Sequence, residues 1–167
     1  MLKRNLAALA AVAALAVILA APGALAEPQA AAKPTAKPVE PLQVQETNEA
    51  NVVAEFIECK RKEGVLTVKV RFRNTGTASA AFNIIGRGNY DDLYVTAEDK
   101  KYFVLRDEER TPLSPTVDPG GAVRVSLKPG GTWLWWAKYP APPAEVKKIN
   151  YVWTLGAPFE DIPITDQ

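Results

Sequence analysis

The sequence predicts an all-β fold, an antiparallel β-sandwich, and three observations carry that expectation. Residues 65–73, VLTVKVRFR, alternate without a break: Leu66, Val68, Val70 and Phe72 on one face, Thr67, Lys69, Arg71 and Arg73 on the other. That period of two is the mark of a half-buried strand. Short stretches of similar kind recur, separated by turn residues about every ten positions, the spacing of a sandwich. No stretch of this region sustains the apolar period of 3.6 that a helix needs.

The elements follow in order. MLKRN carries Lys3 and Arg4, an apolar run follows from Leu6 to Ala21, and Pro22-Gly23 breaks it before Ala24-Leu25-Ala26. This is the three-part layout of a secretory signal peptide, with cleavage expected between Ala26 and Glu27. The competing reading, an uncleaved anchor, is weakened by a run that is mostly alanine and barely long enough to span. A lipid anchor would need cysteine at the cut, where Glu27 stands. Residues 27–47 hold four prolines and few large apolar side chains, so they read as a semi-extended Pro/Ala/Lys-rich linker.

From Asn48 to Gln167 the pattern is that of the folded domain. Strands are expected in NVVAEFIEC, VLTVKVRFR, SAAFNII, DDLYVTA, KYFVL, AVRVSL, TWLWWAKY and VKKINYVW. EDKK reads as a hairpin tip. Pro119-Gly120 and Pro129-Gly130 each suit a type II turn, because proline presets φ and glycine accepts a positive one.

Composition excludes much chemistry. The 167 residues include no histidine, so no Ser–His–Asp triad, Cys–His pair or histidine-held metal can be built. The single cysteine, Cys59, forms no internal disulfide. Its strand has no clean apolar face, which leaves open an inert buried thiol or an intermolecular disulfide. Net charge is +1, or −1 once Lys3 and Arg4 are removed, too small for a global field that would draw in nucleic acid. Ser126 with Lys128 is the one conceivable serine–lysine pair. Asp91-Asp92 and Asp107-Glu108-Glu109 lack the alternate spacing of a calcium loop, and no carboxylate pair is singled out for glycoside hydrolysis. Gly86–Tyr90, GRGNY, has no helix behind it to hold a phosphate and reads as a turn. No catalytic residue, cofactor or metal is expected.

Two surface features remain. In TWLWWAKYPAPP, Trp133, Trp135, Ala137 and Tyr139 share a wholly apolar strand face and are expected inward. Trp136 and Lys138 then face out as candidate ligand-binding residues, unless another segment such as GAPFEDIPI covers the indole. Residues 60–73 hold Lys60, Arg61, Lys62, Lys69, Arg71 and Arg73 against Glu63 alone. They form either an anion-binding strip or a solvated face paired across the sheet.

GVLTVKVRFRNTG, KKYFVLRD, WAKYPAPP and PFEDIPI together resemble bacterial exported domains of unknown function with a telokin-like, immunoglobulin-like sandwich, over roughly residues 50–165. The resemblance implies an immunoglobulin-like antiparallel β-sandwich of seven to eight strands, and export. It supplies no catalytic residue. The combined expectation is a non-enzymatic binding or interaction module of the bacterial cell envelope, periplasmic or extracellular, whose partner is a protein or an envelope polymer. The alternative is a binder of carbohydrate or small ligands that uses exposed aromatics. Neither nucleic acid nor a stable membrane span after cleavage is expected, and oligomeric state is left open.

Overall fold

The computed structural model describes residues 39–167. The signal peptide read over 1–26, the Ala26–Glu27 cleavage point and the linker as far as residue 38 lie outside the described residues. Among the described residues the chain forms β1 (Gln43–Glu46), β2 (Val52–Lys62), β3 (Val65–Asn74), β4 (Ala80–Ile85), β5 (Tyr94–Ala97), β6 (Lys100–Phe103), β7 (Val123–Leu127), β8 (Thr132–Pro140), β9 (Lys148–Val152), β10 (Phe159–Pro163) and β11 (Thr165–Asp166). A 3-10 turn at Tyr90–Asp92 precedes β5. No helix among these residues is long and apolar enough to cross a membrane. The eight expected strands are all present. Three more, β1, β10 and β11, were not expected as strands, and β1 lies inside the stretch read as linker.

The strands make a β-sandwich. One layer is a five-stranded sheet in the order β1-β2-β3-β8, with β11 added parallel to the far end of β2. The other layer combines a four-stranded sheet, β10-β9-β5-β6, with the two-stranded β4-β7. Aromatic pairs cross between the layers: Phe56 on β2 meets Tyr151 and Phe159 at 5.8 and 5.3 Å, and Phe72 on β3 meets Phe82 on β4 at 5.4 Å. Such edge-on and tilted packing is favourable beyond the area it buries.

β3 behaves as its alternation demands, with Leu66, Val68, Val70 and Phe72 buried. β2 is less regular for a physical reason. Its register against β3 shifts between Phe56 and Glu58, a bulge that places an extra residue on β2. Ala54 and Phe56 point inward before the shift, and Cys59 and Arg61 point inward after it. One parity change therefore mixes both apolar sets on each face of the sequence pattern. Cys59 is 2% exposed, and burial pushes its thiol up to about 12. Of the two readings left open, the structure gives the buried, unreactive thiol.

The turns show two outcomes. At Pro129-Gly130 the Gly131 amide donates to the Lys128 carbonyl at 2.8 Å and Gly130 takes φ +69°, as a type II turn requires. At Pro119-Gly120 the expectation fails. The Gly121 amide bonds to the Asp118 carbonyl, but the positive φ, +75°, lies on Gly121 and not on Gly120. This is the pattern of a hairpin turn followed by a left-handed residue, and the second glycine of the pair supplies it. Between β2 and β3, Glu63 and Gly64 both take positive φ, +51° and +77°, and close a two-residue hairpin of the kind matched to strand twist.

Candidate functional site

The outer face of the five-stranded sheet is built by the residues that alternate with the core. Trp135, Ala137 and Tyr139 of β8 are buried and Trp133 packs against the core, so Leu134, Trp136 and Lys138 project outward. Leu134 is 41% exposed and Trp136 is partly exposed. The GAPFEDIPI segment does not cover the indole. Its strand β10 belongs to the opposite layer, where Phe159 and Ile162 are buried. On the inner side the Trp135 indole N–H donates to the Tyr151 hydroxyl at 2.9 Å, which fixes the inward register of β8. The tryptophan cluster is thus mostly core, with Trp136 as its one outward member.

Strand register sets out the face in rows. Lys60, Thr67 and Lys138 lie side by side across β2, β3 and β8; the next row is Glu58, Lys69 and Trp136, and the next is Glu55, Arg71 and Leu134. Neighbours within a row stand about 4.8 Å apart, and rows about 6.8 Å apart along the strands. Trp136 therefore has Lys69 beside it, Lys138 and Leu134 above and below it on its own strand, and Thr67 and Arg71 diagonal to it.

The basic stretch divides into two kinds of residue. Glu55, on β2, sits between Arg71 and Arg73 and bonds to both, to Arg73 at 2.8 Å. Glu58 sits between Lys60 and Lys69 at 3.1 and 3.0 Å. Burial alone would raise both carboxyl groups, but the hydrogen bonds and charges of their partners outweigh it and hold each below its ordinary 4.5. The cross-sheet pairing is thus realised, with acids that precede residue 60. Arg61 does not belong to the face at all. It is 8% exposed and points inward at the far end of β2. Its guanidinium donates to the carbonyls of Pro142, Pro143, Ala144 and Val146, and to both oxygens of Asp166 on β11.

What remains on the face is an excess of cations. Lys60, Lys62, Lys69, Arg71, Arg73 and Lys138 stand against Glu55, Glu58, Glu63 in the β2–β3 turn and, at the far edge on β1, Glu46. Lys62 and Lys138 have no carboxylate within ion-pair distance among the described residues. They line a shallow depression of about 230 Å³ with Glu63, Val65 and Thr67.

The other candidates are dispersed. Ser126 lies on β7 and faces solvent beside Asn83 and Arg124, while Lys128 stands beyond the strand end, in the turn before Pro129. Asp91 and Asp92 lie in the 3-10 turn, where Asn89 caps Asp91 and donates to the Asp92 side chain. The Asp107 side chain accepts from the Thr111 amide and closes its own loop. Among the described residues no three Asp, Glu or Cys side chains converge so as to hold a metal ion. Sequence reasoning missed Glu55 and Glu58 as members of the basic face, because their place there depends on a register that only strand pairing defines. In comparison with known proteins, no family model matches the chain and no match is found among curated proteins or solved structures.

Proposed function

We propose that the chain is an exported, non-enzymatic binding module of the bacterial cell envelope, periplasmic or extracellular, and that the outer face of the five-stranded sheet is its contact surface. The observation that carries the reading is Trp136. A large aromatic side chain stands partly exposed on a cationic sheet face, beside Leu134 and between Lys69 and Lys138. Partly exposed aromatics of this kind are common anchors in recognition surfaces. The absence of histidine supports a role without covalent chemistry. The charged and apolar N-terminal pattern supports export. The two-layer sandwich supports the finer immunoglobulin-like, telokin-like reading of the fold.

A second reading, a carbohydrate binder, is favoured by the same indole, because sugar rings stack on aromatic faces. The test of the surface itself is acrylamide quenching of tryptophan fluorescence in wild type and Trp136→Ala. The expected result is an accessible, red-shifted component that the variant lacks, with stability lowered by less than about 1 kcal/mol, as for a surface substitution. A fully shielded emission together with a strongly destabilised variant would show that Trp136 belongs to the core and would remove the proposed surface.

A further inference from the structure

β8 is an edge strand of the five-stranded sheet, and register settles which backbone groups lie along its free side. The Asn74 amide donates to the Gly131 carbonyl, and the Ala141 amide to the Gly64 carbonyl. The odd-numbered residues of β8 therefore direct N–H and C=O toward β3, and the even-numbered ones direct them away. Lys138 agrees: its amide donates to the Leu113 carbonyl at 3.0 Å and its carbonyl accepts from the Leu105 amide at 2.8 Å. The 105–113 loop thus covers the edge at Lys138, and there it stops. Trp136, Leu134 and Thr132 present the same groups in the same direction, and these have no hydrogen-bond partner among the described residues. At the other end the 128–131 turn closes the strand, through the Gly131 amide and the Lys128 carbonyl. The open window is residues 132–136, with Leu134 at its centre. Sheet edges are commonly guarded by lysine, proline, a bulge or a covering loop. This window has none of them: its side chains are Thr132, Trp133, Leu134, Trp135 and Trp136, its register is unbroken, and Leu134 is 41% exposed.

We propose that this window is a self-association edge, along which two copies of the chain pair antiparallel about a two-fold axis through Leu134. Leu134 then faces Leu134 of the second copy, and each Thr132 faces a Trp136. All three rows are of the hydrogen-bonded kind, so every open N–H and C=O of the window finds a partner. A second copy suits the window better than an unrelated strand. The window is symmetric about Leu134, and its outward side chains make apolar cross-strand pairs with themselves. The ends also match. Register sets the 128–131 turn of one copy beside the 105–113 loop of the other; the turn carries Lys128, and the loop carries Asp107, Glu108 and Glu109 against Arg106 and Arg110. The nearest cation of the outer face, Arg71, lies one strand in from Leu134 and is bonded to Glu55. The contact is short, so the dimer belongs to the weak class, well below the roughly 1,600 Å² of a standard interface. Pairing rests on backbone groups and not on Trp136 as a ligand anchor, but it would extend that reading. The two outer faces become one, with the two Trp136 side chains about 14 Å apart along the strands.

Sedimentation velocity of the purified protein from about 10 μM to about 1 mM tests the pairing. The expected result is a monomer that passes to a dimer, and to nothing larger, as concentration rises. Leu134→Lys sets like charges face to face on the axis and is expected to weaken the dimer at least about tenfold. Leu134→Pro removes the central N–H, which points away from β3, and is expected to do the same. Leu134 is exposed, so an unchanged melting temperature certifies the lysine variant as folded even where the proline variant is not. Oxidation reads the register. Leu134→Cys is expected to give a disulfide-linked dimer, because facing residues stand about 5.5 Å apart between Cα atoms. Thr132→Cys alone is not, because its two copies lie about 14 Å apart. Cys59 is buried and does not compete. A monomer at every concentration would overturn self-pairing and leave the edge to an extended segment of another protein. A dimer that both Leu134 substitutions leave intact would place the contact elsewhere, and a Thr132→Cys cross-link as ready as that of Leu134→Cys would overturn the axis. None of these outcomes touches the outer face as a binding surface, which fails separately if Trp136 is shielded from acrylamide in the monomer.

Discussion

The Arg61 guanidinium connects three parts of the chain that are far apart in sequence. It reaches the 142–146 loop through backbone carbonyls and β11 through Asp166, from a position near the end of β2. Carbonyls in that loop would lose these bonds if the side chain were removed, and a buried acceptor left unpaired is expensive. Arg61→Ala is therefore expected to lower unfolding free energy by on the order of 3 kcal/mol, measured by urea denaturation. Arg61→Lys should recover only part of this, because an ammonium has three donors and no planar fork. The same residue shows a limit of reading charge from sequence. Six cations in fourteen positions look like one strip, but a bulge at Ile57 turns Arg61 inward while Lys60 and Lys62 stay out.

At the scale of elements, the tightest connection is the β2–β3 hairpin. Gly64 has φ +77° and open space where a Cβ would stand, so alanine there would meet no atom but would still adopt a disfavoured backbone. Gly64→Ala is expected to destabilise the protein by about 1–2 kcal/mol in a thermal or urea melt, through the left-handed conformation alone. The eight strands with regular alternation were legible because burial on one face imposes period two on composition. The three missed strands lack that imprint. β1 is paired by its backbone to β2 while Leu42 and Val44 lie exposed. β10 buries Phe159 and Ile162, three apart, because a register irregularity at Asp161, φ +54°, falls between them. β11 is two residues long and exposed, and is held by its backbone pairing with β2 and by the bonds its Asp166 receives from Arg61. On the candidate face, Trp136 and Lys138 were legible from alternation on β8. Glu55 and Glu58 were not, since cross-strand partnership is a property of register and not of composition.

For the whole molecule, the titratable groups define a response to pH. No side chain has an ordinary pKa between pH 5 and 8 in a chain without histidine, so stability is expected to be flat across that range. Acid is different. Glu55 and Glu58 are held below 4.5 in the folded state and return to their ordinary values on unfolding. A depressed carboxyl contributes stability that is fully present above 4.5 and is lost as pH falls through the folded-state value. Glu55→Gln is expected to lose on the order of 2 kcal/mol at pH 7, where the charged pair is intact. The gap between variant and wild type should then narrow as the solution is acidified below 4.5. Urea midpoints measured from pH 7 down to pH 3 check this, and a gap that does not change with pH would assign the effect of Glu55 to its shape and not its charge.

The bond between Arg61 and Asp166 also has a consequence in time. Its two ends are separated by 105 residues, and β10 and β11 deliver Phe159, Ile162 and Asp166 to strands made much earlier. Pairings this remote in sequence make slow folders. A chain emerging from the ribosome cannot complete this core until Phe159 and Ile162 have appeared, so every shorter intermediate leaves Phe56 and Tyr151 without the Phe159 ring that packs on them. A polypeptide in that state is still an open chain, and the domain becomes fixed in shape only once its last core strand has joined strands made about a hundred residues earlier.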